Sequence, residues 1–214
     1  MTATKQWWWV RHAPVVGQQG KLYGSTDVDC DVSDQASFKG LASVLPTDAF
    51  WMTSHLSRTH KTANAILNEG LIAPIPVHDT NLGEQFFGDW QGLSWNEMEG
   101  QHPDIYKTFW QSPADNAPPG GESFSDQITR VGQVIDRIND NNTGSNIVVV
   151  AHGGTIRAAI AHALKLSAID AMSFRIDTLS ITRLDYIKGG LLRGQGGSWR
   201  VSCVNQSAKP EVTP

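Results

Sequence analysis

The sequence lacks features that mark several specialised classes of protein. It has only two cysteines, Cys30 and Cys203, without CxxC spacing, so neither a disulfide framework nor a zinc knuckle is expected. It has no basic run, and 17 lysines and arginines against 21 aspartates and glutamates give a net charge of -4 with the histidines counted as neutral. We therefore expect no nucleic-acid partner and no membrane-surface partner, and any anion must be bound by a local group of cations.

Long apolar runs are also missing. The N-terminal stretch MTATKQWWWVRH has a short apolar run followed by charges, which is too short for a signal peptide or a membrane span. This absence favours a cytoplasmic location. The 214 residues, of which 40% are hydrophobic and 18% charged, are enough for one domain with a full core, so we predict a single domain over 1–214.

Short apolar runs alternate with helical patterns along the chain. The runs are rich in β-branched or aromatic residues and lie at Trp7–Val10, Ala49–Met52, Ile147–Ala151, Leu179–Leu184 and Trp199–Val204. Helical patterns begin at about Ser57, at Phe124 after a capping Ser123, and at His152 or Gly153. This alternation predicts βαβ units and an α/β fold.

Two segments have a different composition. The segment 82–121 is rich in proline and contains Trp90, Trp95 and Trp110, so we predict an irregular or short-helical insertion that covers a site like a lid. The C-terminal segment 207–214 is polar and contains prolines, and we predict a frayed tail there.

Polar residues follow two of the predicted strands directly. Arg11 and His12 come where the first strand opens into a loop, and His152 ends the strand Ile147–Ala151. In open α/β sheets this edge is where ligands bind. Gly153 removes a side chain where a helix begins, which leaves backbone N–H groups and the positive end of the helix free to bind an anion.

Two further charged residues fit a site for an anion. Arg58 falls in the first turn of a predicted helix, where a cation is unfavourable against the helix dipole unless an anion compensates it. Glu84 lies among aromatic residues and glycines in NLGEQFFGDWQG, surroundings in which a carboxylic acid is partly desolvated. Each pattern is common by itself, and only their combination and order are specific.

In chain order, the motifs are RH, SxxxR, GExxFGDWxG, PGGES and HGGTIR, and together they resemble the histidine phosphatase superfamily, also called the phosphoglycerate mutase-like family. The resemblance spans about residues 7–186. It implies a three-layer α/β/α sandwich around a mostly parallel sheet.

The resemblance also implies roles for individual residues. His12 would be the nucleophile that becomes a phosphohistidine, and Glu84 would be the proton donor. Arg11, Arg58 and His152 would form the phosphate pocket, together with the helix start at Gly153.

The chemistry of phosphoryl transfer fits these residue types. The negative charge of the transferred phosphoryl group is delocalised over its oxygens. Guanidinium groups such as those of Arg11 and Arg58 bind these oxygens through paired N–H donors. His12 must be neutral at its attacking nitrogen, and we expect a backbone carbonyl to fix its other nitrogen. Glu84 would give a proton to the leaving alkoxide. Because the cations and the helix start provide the positive field, we expect neither a metal nor another cofactor.

The sequence departs from the family pattern in two places. Ala13 and Pro14 follow His12, where the family has glycine and a loop that bears threonine or asparagine, so the geometry of the phosphate loop is left open. The segment before Arg58 has His55 where proline is more usual, and we interpret His55 as a surface residue. The roles of Asp89 and Glu122 are also left open.

Among the functions of the family, we predict hydrolysis of a phosphomonoester of a small metabolite. From Phe86 to Pro119 the only basic residue apart from His102 is Lys107, which gives a second phosphate little to bind and disfavours a phosphoglycerate mutase. YGSTDVD and PPGGES are similar to the α-ribazole phosphatase branch, which makes α-ribazole 5′-phosphate a candidate substrate. A mutase, and a non-catalytic module that binds phosphate or a partner protein, are kept as alternatives. A monomer and a homodimer are both left open.

Overall fold

The fold is organised around one six-stranded sheet in the computed structural model, which describes residues 4–141, 143–191 and 197–208. The strands are β1 (Thr4–Arg11), β2 (Ala49–Thr53), β3 (Val77–His78), β4 (Asn146–Ala151), β5 (Ser180–Ile187) and β6 (Trp199–Ser207). Their order is β3-β2-β4-β1-β5-β6. The first four in this order pair in parallel, whereas β5 and β6 pair antiparallel to their neighbours.

Helices cover both faces of the sheet. They are α1 (Gln35–Val44), α2 (Ser57–Asn68), α3 (Trp95–Gln101), α4 (Pro103–Phe109), α5 (Phe124–Asp140), α6 (Gly153–Leu164) and α7 (Ala168–Ala171). The helices α5 and α6 pack on the face that carries Trp7 and Trp9, and α1 and α2 pack on the face that carries Val10 and Trp51. This is the three-layer α/β/α sandwich that the resemblance implies.

The alternation of side chains along β1 explains its run of three tryptophans. Trp7 and Trp9 point to one face, are fully buried, and stack with ring centroids 5.5 Å apart. Trp8 points to the other face, where the guanidinium carbon of Arg183 lies 4.6 Å from the centre of its ring. Both faces of β1 are thus fixed by large rings, and the strand is held firmly up to Arg11.

The sequence-based bounds need correction at the C-terminal strands. The strand predicted over Leu179–Leu184 begins one residue later, because Leu179 takes a positive φ of 59° and its N–H donates to the carbonyl of Arg11. The predicted frayed tail 207–214 overlaps β6 at Ser207, and the residues from 209 onward lie outside the described residues. Within the described ranges, the helices are too short or too polar to cross a membrane.

The segment 82–121 contains short helices joined by tight turns. A 3-10 helix (Gly88–Trp90) precedes α3 and α4, and the buried rings of Trp90 and Phe109 pack against Met98. Gly88 has a φ of +52°, and a β-carbon at this position would lie 2.0 Å from the carbonyl oxygen of Pro119. The two ends of the segment therefore meet at a point where only glycine fits.

A test of this close approach compares Gly88→Ala with Gly92→Ala. Both glycines have positive φ, but a β-carbon on Gly92 would meet nothing within 4 Å. In both variants the alanine must adopt a positive φ, which costs roughly 1–3 kcal/mol. Only in Gly88→Ala does the new β-carbon also clash with the backbone, at the carbonyl oxygen of Pro119. We expect urea unfolding to show an additional loss of about 1–3 kcal/mol in Gly88→Ala. Equal losses in the two variants would contradict the close approach.

Candidate active site

Two histidines leave the sheet side by side at the ends of β1 and β4. Arg11 pairs with Ala151 at the last position of the parallel ladder, and the N–H of His12 donates to the carbonyl of Ala151 over 2.9 Å. The ring centroids of His12 and His152 are 5.1 Å apart, and both side chains are buried. The carboxyl ends of two neighbouring parallel strands thus form the base of the site, as the sequence predicts.

The imidazole of His12 is held in one tautomer. Its Nδ1 lies 2.7 Å from the carbonyl oxygen of Ala13. Because a carbonyl oxygen only accepts, Nδ1 carries the proton and the lone pair is on Nε2. Burial lowers the pKa of His12 to about 3, helped by the charges of Arg58 and Arg11 and opposed by the bond to Ala13. The ring is therefore neutral near pH 7, and the expected backbone carbonyl partner is confirmed.

His152 is also neutral, and both its nitrogens have partners. Nδ1 accepts a hydrogen bond from Nε of Arg58 over 3.2 Å, so Nε2 carries the proton and donates to the hydroxyl of Ser54 over 2.8 Å. Burial lowers the pKa of His152 well below its usual range, and the proximity of His12 and Arg58 lowers it further. His152 therefore fixes the orientation of Arg58 in addition to lining the pocket.

Ser54 is a site residue that the sequence analysis did not assign. It follows the end of β2, and Arg58 lies four residues later, in the first turn of α2. Both side chains reach His152 across the end of the sheet. The SxxxR motif was the available signal for this pair, in which Ser54 lies between β2 and α2 and Arg58 lies in the first turn of α2.

Arg58 is fully buried, and its described hydrogen bonds go to neutral acceptors. Besides His152, Nη1 donates to the carbonyl of Thr26 over 2.7 Å and Nη2 to that of Gly24 over 2.8 Å. Burial lowers the pKa of Arg58, and the charge of Glu84 opposes this shift. None of these hydrogen bonds ends on a carboxylate, so much of the charge is left for an incoming anion. The segment YGSTDVD thus holds Arg58 through backbone oxygens.

Arg11 lies beside the start of α6. Its Nη1 donates to the carbonyl of Ile176 over 2.5 Å, whereas its buried Nε has no hydrogen-bond partner among the described residues. A β-carbon on Gly153 would lie 3.5 Å from that Nε. A second guanidinium with unused donor capacity is therefore next to the positive end of a helix.

Glu84 reaches the same helix start from the other side. Its Oε2 accepts from the backbone N–H of Gly154 over 3.2 Å, and its Oε1 accepts from Nε2 of Gln127 over 3.2 Å. A β-carbon on Gly154 would lie 2.3 Å from Oε1 of Glu84, so the absent side chain makes room for the carboxylate. Gln127, a buried polar residue on α5, was not found from the sequence.

The loop after His12 accommodates its unusual residues. The backbone N–H of Ala13 donates to the hydroxyl of Thr62 over 2.9 Å, and Ala13 is fully buried. The carbonyl of Pro14 accepts from the N–H of Asp31 over 2.8 Å. The loop is therefore tied to α2 and to the segment before α1, and the amide of Ala13 is engaged within the protein.

The structure shows the surroundings of three residues whose roles the sequence leaves open. Glu122 forms an ion pair of 2.7 Å with Arg130 and also accepts from the N–H of Phe86, which gives it a structural role. His55 is exposed, as expected for a surface residue. Asp89 is exposed, and one of its carboxylate oxygens would lie 3.7 Å from a β-carbon on Gly120, near the end of the segment 82–121.

Two cations that the sequence analysis did not consider lie near Glu84. A cavity of about 280 Å³ is lined by Lys21, Glu84, Gly154 and Arg157 together with several apolar residues. Nε of Arg157 donates to the carbonyl of Phe174 over 2.7 Å. Lys21 and Arg157 come from other parts of the chain than the segment from Phe86 to Pro119, whose scarcity of cations disfavours a mutase. In the ranges that the structure describes, no cluster of three or more His, Cys, Asp or Glu residues could hold a metal ion.

The lowered pKa of His12 predicts that this residue makes folding stability depend on pH. The folded value of about 3 lies below the ordinary 6.5, so the unfolded chain binds the proton first as the pH falls. The contribution of His12 to the free energy of unfolding is complete above about pH 6.5. Below that pH it decreases by about 1.4 kcal/mol per pH unit.

Urea unfolding of the wild type and of His12→Gln between about pH 7 and pH 5 measures this effect. We expect the free energy of unfolding to fall more steeply with decreasing pH in the wild type, because only the wild type contains His12. His152 titrates in both proteins and therefore contributes to both slopes. Parallel curves would contradict a buried, neutral His12.

Comparisons with known proteins agree with this geometry. A profile of the histidine phosphatase superfamily (branch 1) matches residues 7–193. Phosphoglycerate mutase-like protein 4 of Arabidopsis thaliana is 32% identical over 155 residues, which cover 70% of this chain. The chain spans 66% of the length of that relative.

Solved structures resemble nearly the whole fold. A mycobacterial glucosyl-3-phosphoglycerate phosphatase in complex with VO3 matches with a TM-score of 0.75 and 26% identity, over 95% of this chain and 100% of the other. The α-ribazole phosphatase from Shigella flexneri matches with a TM-score of 0.79 and 21% identity, over 97% and 100% of the two chains, and shares the fold. The profile match over most of its length shows that the chain belongs to the histidine phosphatase superfamily, branch 1.

Proposed function

We propose that the chain is a phosphomonoester hydrolase that acts on a small phosphorylated metabolite through a phosphohistidine on His12. The observation that carries the proposal is the neutral imidazole of His12, whose Nδ1 is occupied by a carbonyl and whose lone pair is on Nε2. The guanidinium groups of Arg11 and Arg58 lie close enough to lower its pKa. A nucleophile and the cations that its substrate requires are therefore together.

In the first step, Nε2 of His12 attacks the phosphorus, and the bond from phosphorus to the ester oxygen breaks. The oxygen keeps the electron pair and takes the proton of Glu84, which must enter this step protonated and lies at the start of α6 beside the N–H of Gly154. Arg11, Arg58 and the helix start stabilise the charge on the transferred group. These groups supply the positive field without a metal ion.

In the second step, water attacks the phosphohistidine. Glu84, now ionised, takes the proton from the water, and the bond from phosphorus to Nε2 breaks with its electron pair returning to the nitrogen. The bond of Nδ1 to Ala13 keeps the ring in position through both steps, since neither step uses that nitrogen. Phosphate then leaves and the site returns to its starting state.

A phosphoglycerate mutase is the second candidate. Lys21 and Arg157 line the cavity next to Glu84 and could bind a second phosphate or a carboxylate. The mutase-like relative from Arabidopsis thaliana also favours this alternative, whereas the mycobacterial phosphatase favours hydrolysis. α-Ribazole 5′-phosphate is the substrate that we propose to examine first, because of the similarity of YGSTDVD and PPGGES to that branch.

The test of the proposed function is phosphate release from α-ribazole 5′-phosphate, 3-phosphoglycerate and sugar phosphates, with EDTA present. We expect turnover that resists EDTA and that His12→Ala reduces by at least about 10³-fold, because the nucleophile is lost. His162→Ala is the matched control, since His162 lies in the last turn of α6, at the opposite end from Gly153, and pairs with Asp136 of α5. Exchange of phosphate between phosphoglycerates without release would favour the mutase. Phosphate binding without turnover would favour the alternative that the chain is a non-catalytic module that binds phosphate.

A second test addresses Glu84 through Gly154→Ala. The new β-carbon would lie 2.3 Å from Oε1 of Glu84 and must displace this flexible side chain. We expect hydrolysis of alkyl phosphates to fall by about 10²-fold and that of p-nitrophenyl phosphate to fall much less, because nitrophenolate leaves without a proton. Gly100→Ala adds a methyl group in open space on α3 and should leave both rates unchanged. An equal loss of hydrolysis rate on alkyl phosphates and on p-nitrophenyl phosphate would contradict the role of Glu84 as proton donor.

A further inference from the structure

A second, neutral cavity lies beside the proposed site. It has a volume of about 130 Å³ and is lined mainly by aromatic side chains of the segment 82–121, with Met172 from beyond α7. The rings that line it are those of Phe87, Trp90, Trp95, Phe109 and Trp110. We call it the aromatic cavity.

The aromatic cavity adjoins the cavity of about 280 Å³ that contains Glu84. Leu22, Gln85, Phe87 and Met172 line both. A leaving group that receives its proton from Glu84 must occupy the larger cavity, and the aromatic cavity is the adjoining space for an extension of that group. The proposal below therefore rests on the proposed function.

The two cavities differ in charge. The larger one is lined by Lys21, Glu84 and Arg157, whereas every side chain that lines the aromatic cavity is uncharged. A polar part of a ligand therefore fits the larger cavity, and a neutral, apolar part fits the aromatic one. An engineered cavity of about 150 Å³ binds benzene, so the aromatic cavity has the size for one ring.

Two rings of the cavity are partly exposed to water although they are packed against their neighbours. Trp95 and Trp110 have 49% and 45% of their surface exposed, and their ring centroids are 6.0 Å apart. Trp110 also contacts the ring of Phe109 edge to face, with centroids 5.3 Å apart. A planar ligand that covers these faces would remove apolar surface from water and gain aromatic contacts.

From these observations, we propose that the aromatic cavity is a subsite for the leaving group and that the substrate is a phosphomonoester in which a polar linker joins the phosphate to a neutral aromatic ring. The subsite acts on selection of the substrate, and the phosphoryl transfer takes place at His12.

The test compares 3-phenylpropyl phosphate with propyl phosphate. The two alcohols are similar as leaving groups, so the ratio of their kcat/KM values measures only recognition of the ring. We expect a ratio of at least about 10 in the wild type and a fall of at least fivefold in Trp110→Ala, with recovery in Trp110→Phe. Phe86→Ala is the matched control, because Phe86 is 45% exposed in the same segment but lines neither cavity.

A ratio near one between the kcat/KM values of the phenylpropyl and propyl esters in the wild type would overturn the subsite.

Binding to His12→Ala separates this inference from the proposed function. Calorimetry on this variant gives Kd values for 3-phenylpropyl and propyl phosphate without any turnover. If the wild type hydrolyses neither ester but the Kd values still favour the phenyl compound, only the proposed function fails. If Trp110→Ala changes the oligomeric state measured by light scattering but leaves the Kd ratio unchanged, the cavity is a contact between copies of the chain and the inference fails.

Discussion

Parallel pairing of β1 with β4 sets Arg11 opposite Ala151, and the next residues of the two strands are His12 and His152. The distance between the two imidazoles is therefore a property of the sheet. Large rings fix β1 on both faces, and the buried valines of β4 leave it equally little freedom. Helix α6 begins immediately after His152, so the same pairing also places the positive end of a helix next to Arg11 and Glu84. The rest of the site is arranged around this edge.

The site keeps two buried imidazoles neutral and two arginines without a carboxylate in their described hydrogen bonds. Arg58 is tolerated because two backbone carbonyls and His152 accept its N–H groups, although none of them neutralises its charge. A phosphate would supply that charge, so its binding also relieves a cost of folding. The charge of Arg58 in turn helps to keep the imidazole of His12 unprotonated. Under the proposed function, the arginines that bind phosphate are therefore also those that keep the nucleophile reactive.

The sequence predicts those parts of the site that follow directly from a strand end or a helix start. Arg11, His12 and His152 come directly after apolar runs, and Arg58 lies in the first turn of the helix predicted from Ser57, so local pattern was sufficient for them. Gln127 and Arg157 could not be found in this way, because their roles depend on how α5 and α6 are rotated against the sheet. The path of the Ala13–Pro14 loop depends on Thr62, which is far away in sequence. The loop chemistry could therefore be judged only after the packing of α2 was known.

Under the proposed function, binding of phosphate and recognition of the leaving group come from different parts of the fold. His12, Arg11 and Arg58 lie at strand ends and at the start of α2, close to the start of α6, in a region that is fixed by the core. The leaving-group side is formed by the segment 82–121, whose short helices pack in a separate small cluster with Trp90 at its centre. This small cluster shares few contacts with the core around the sheet. Substitutions in the segment 82–121 can therefore change which alcohol is accepted without moving His12 relative to Arg58. Glu84 lies where the two parts meet, since it is held by α5 and α6 but also lines the cavity that receives the leaving group. The proton donor is thus the one group through which the identity of the leaving group acts directly on the chemistry.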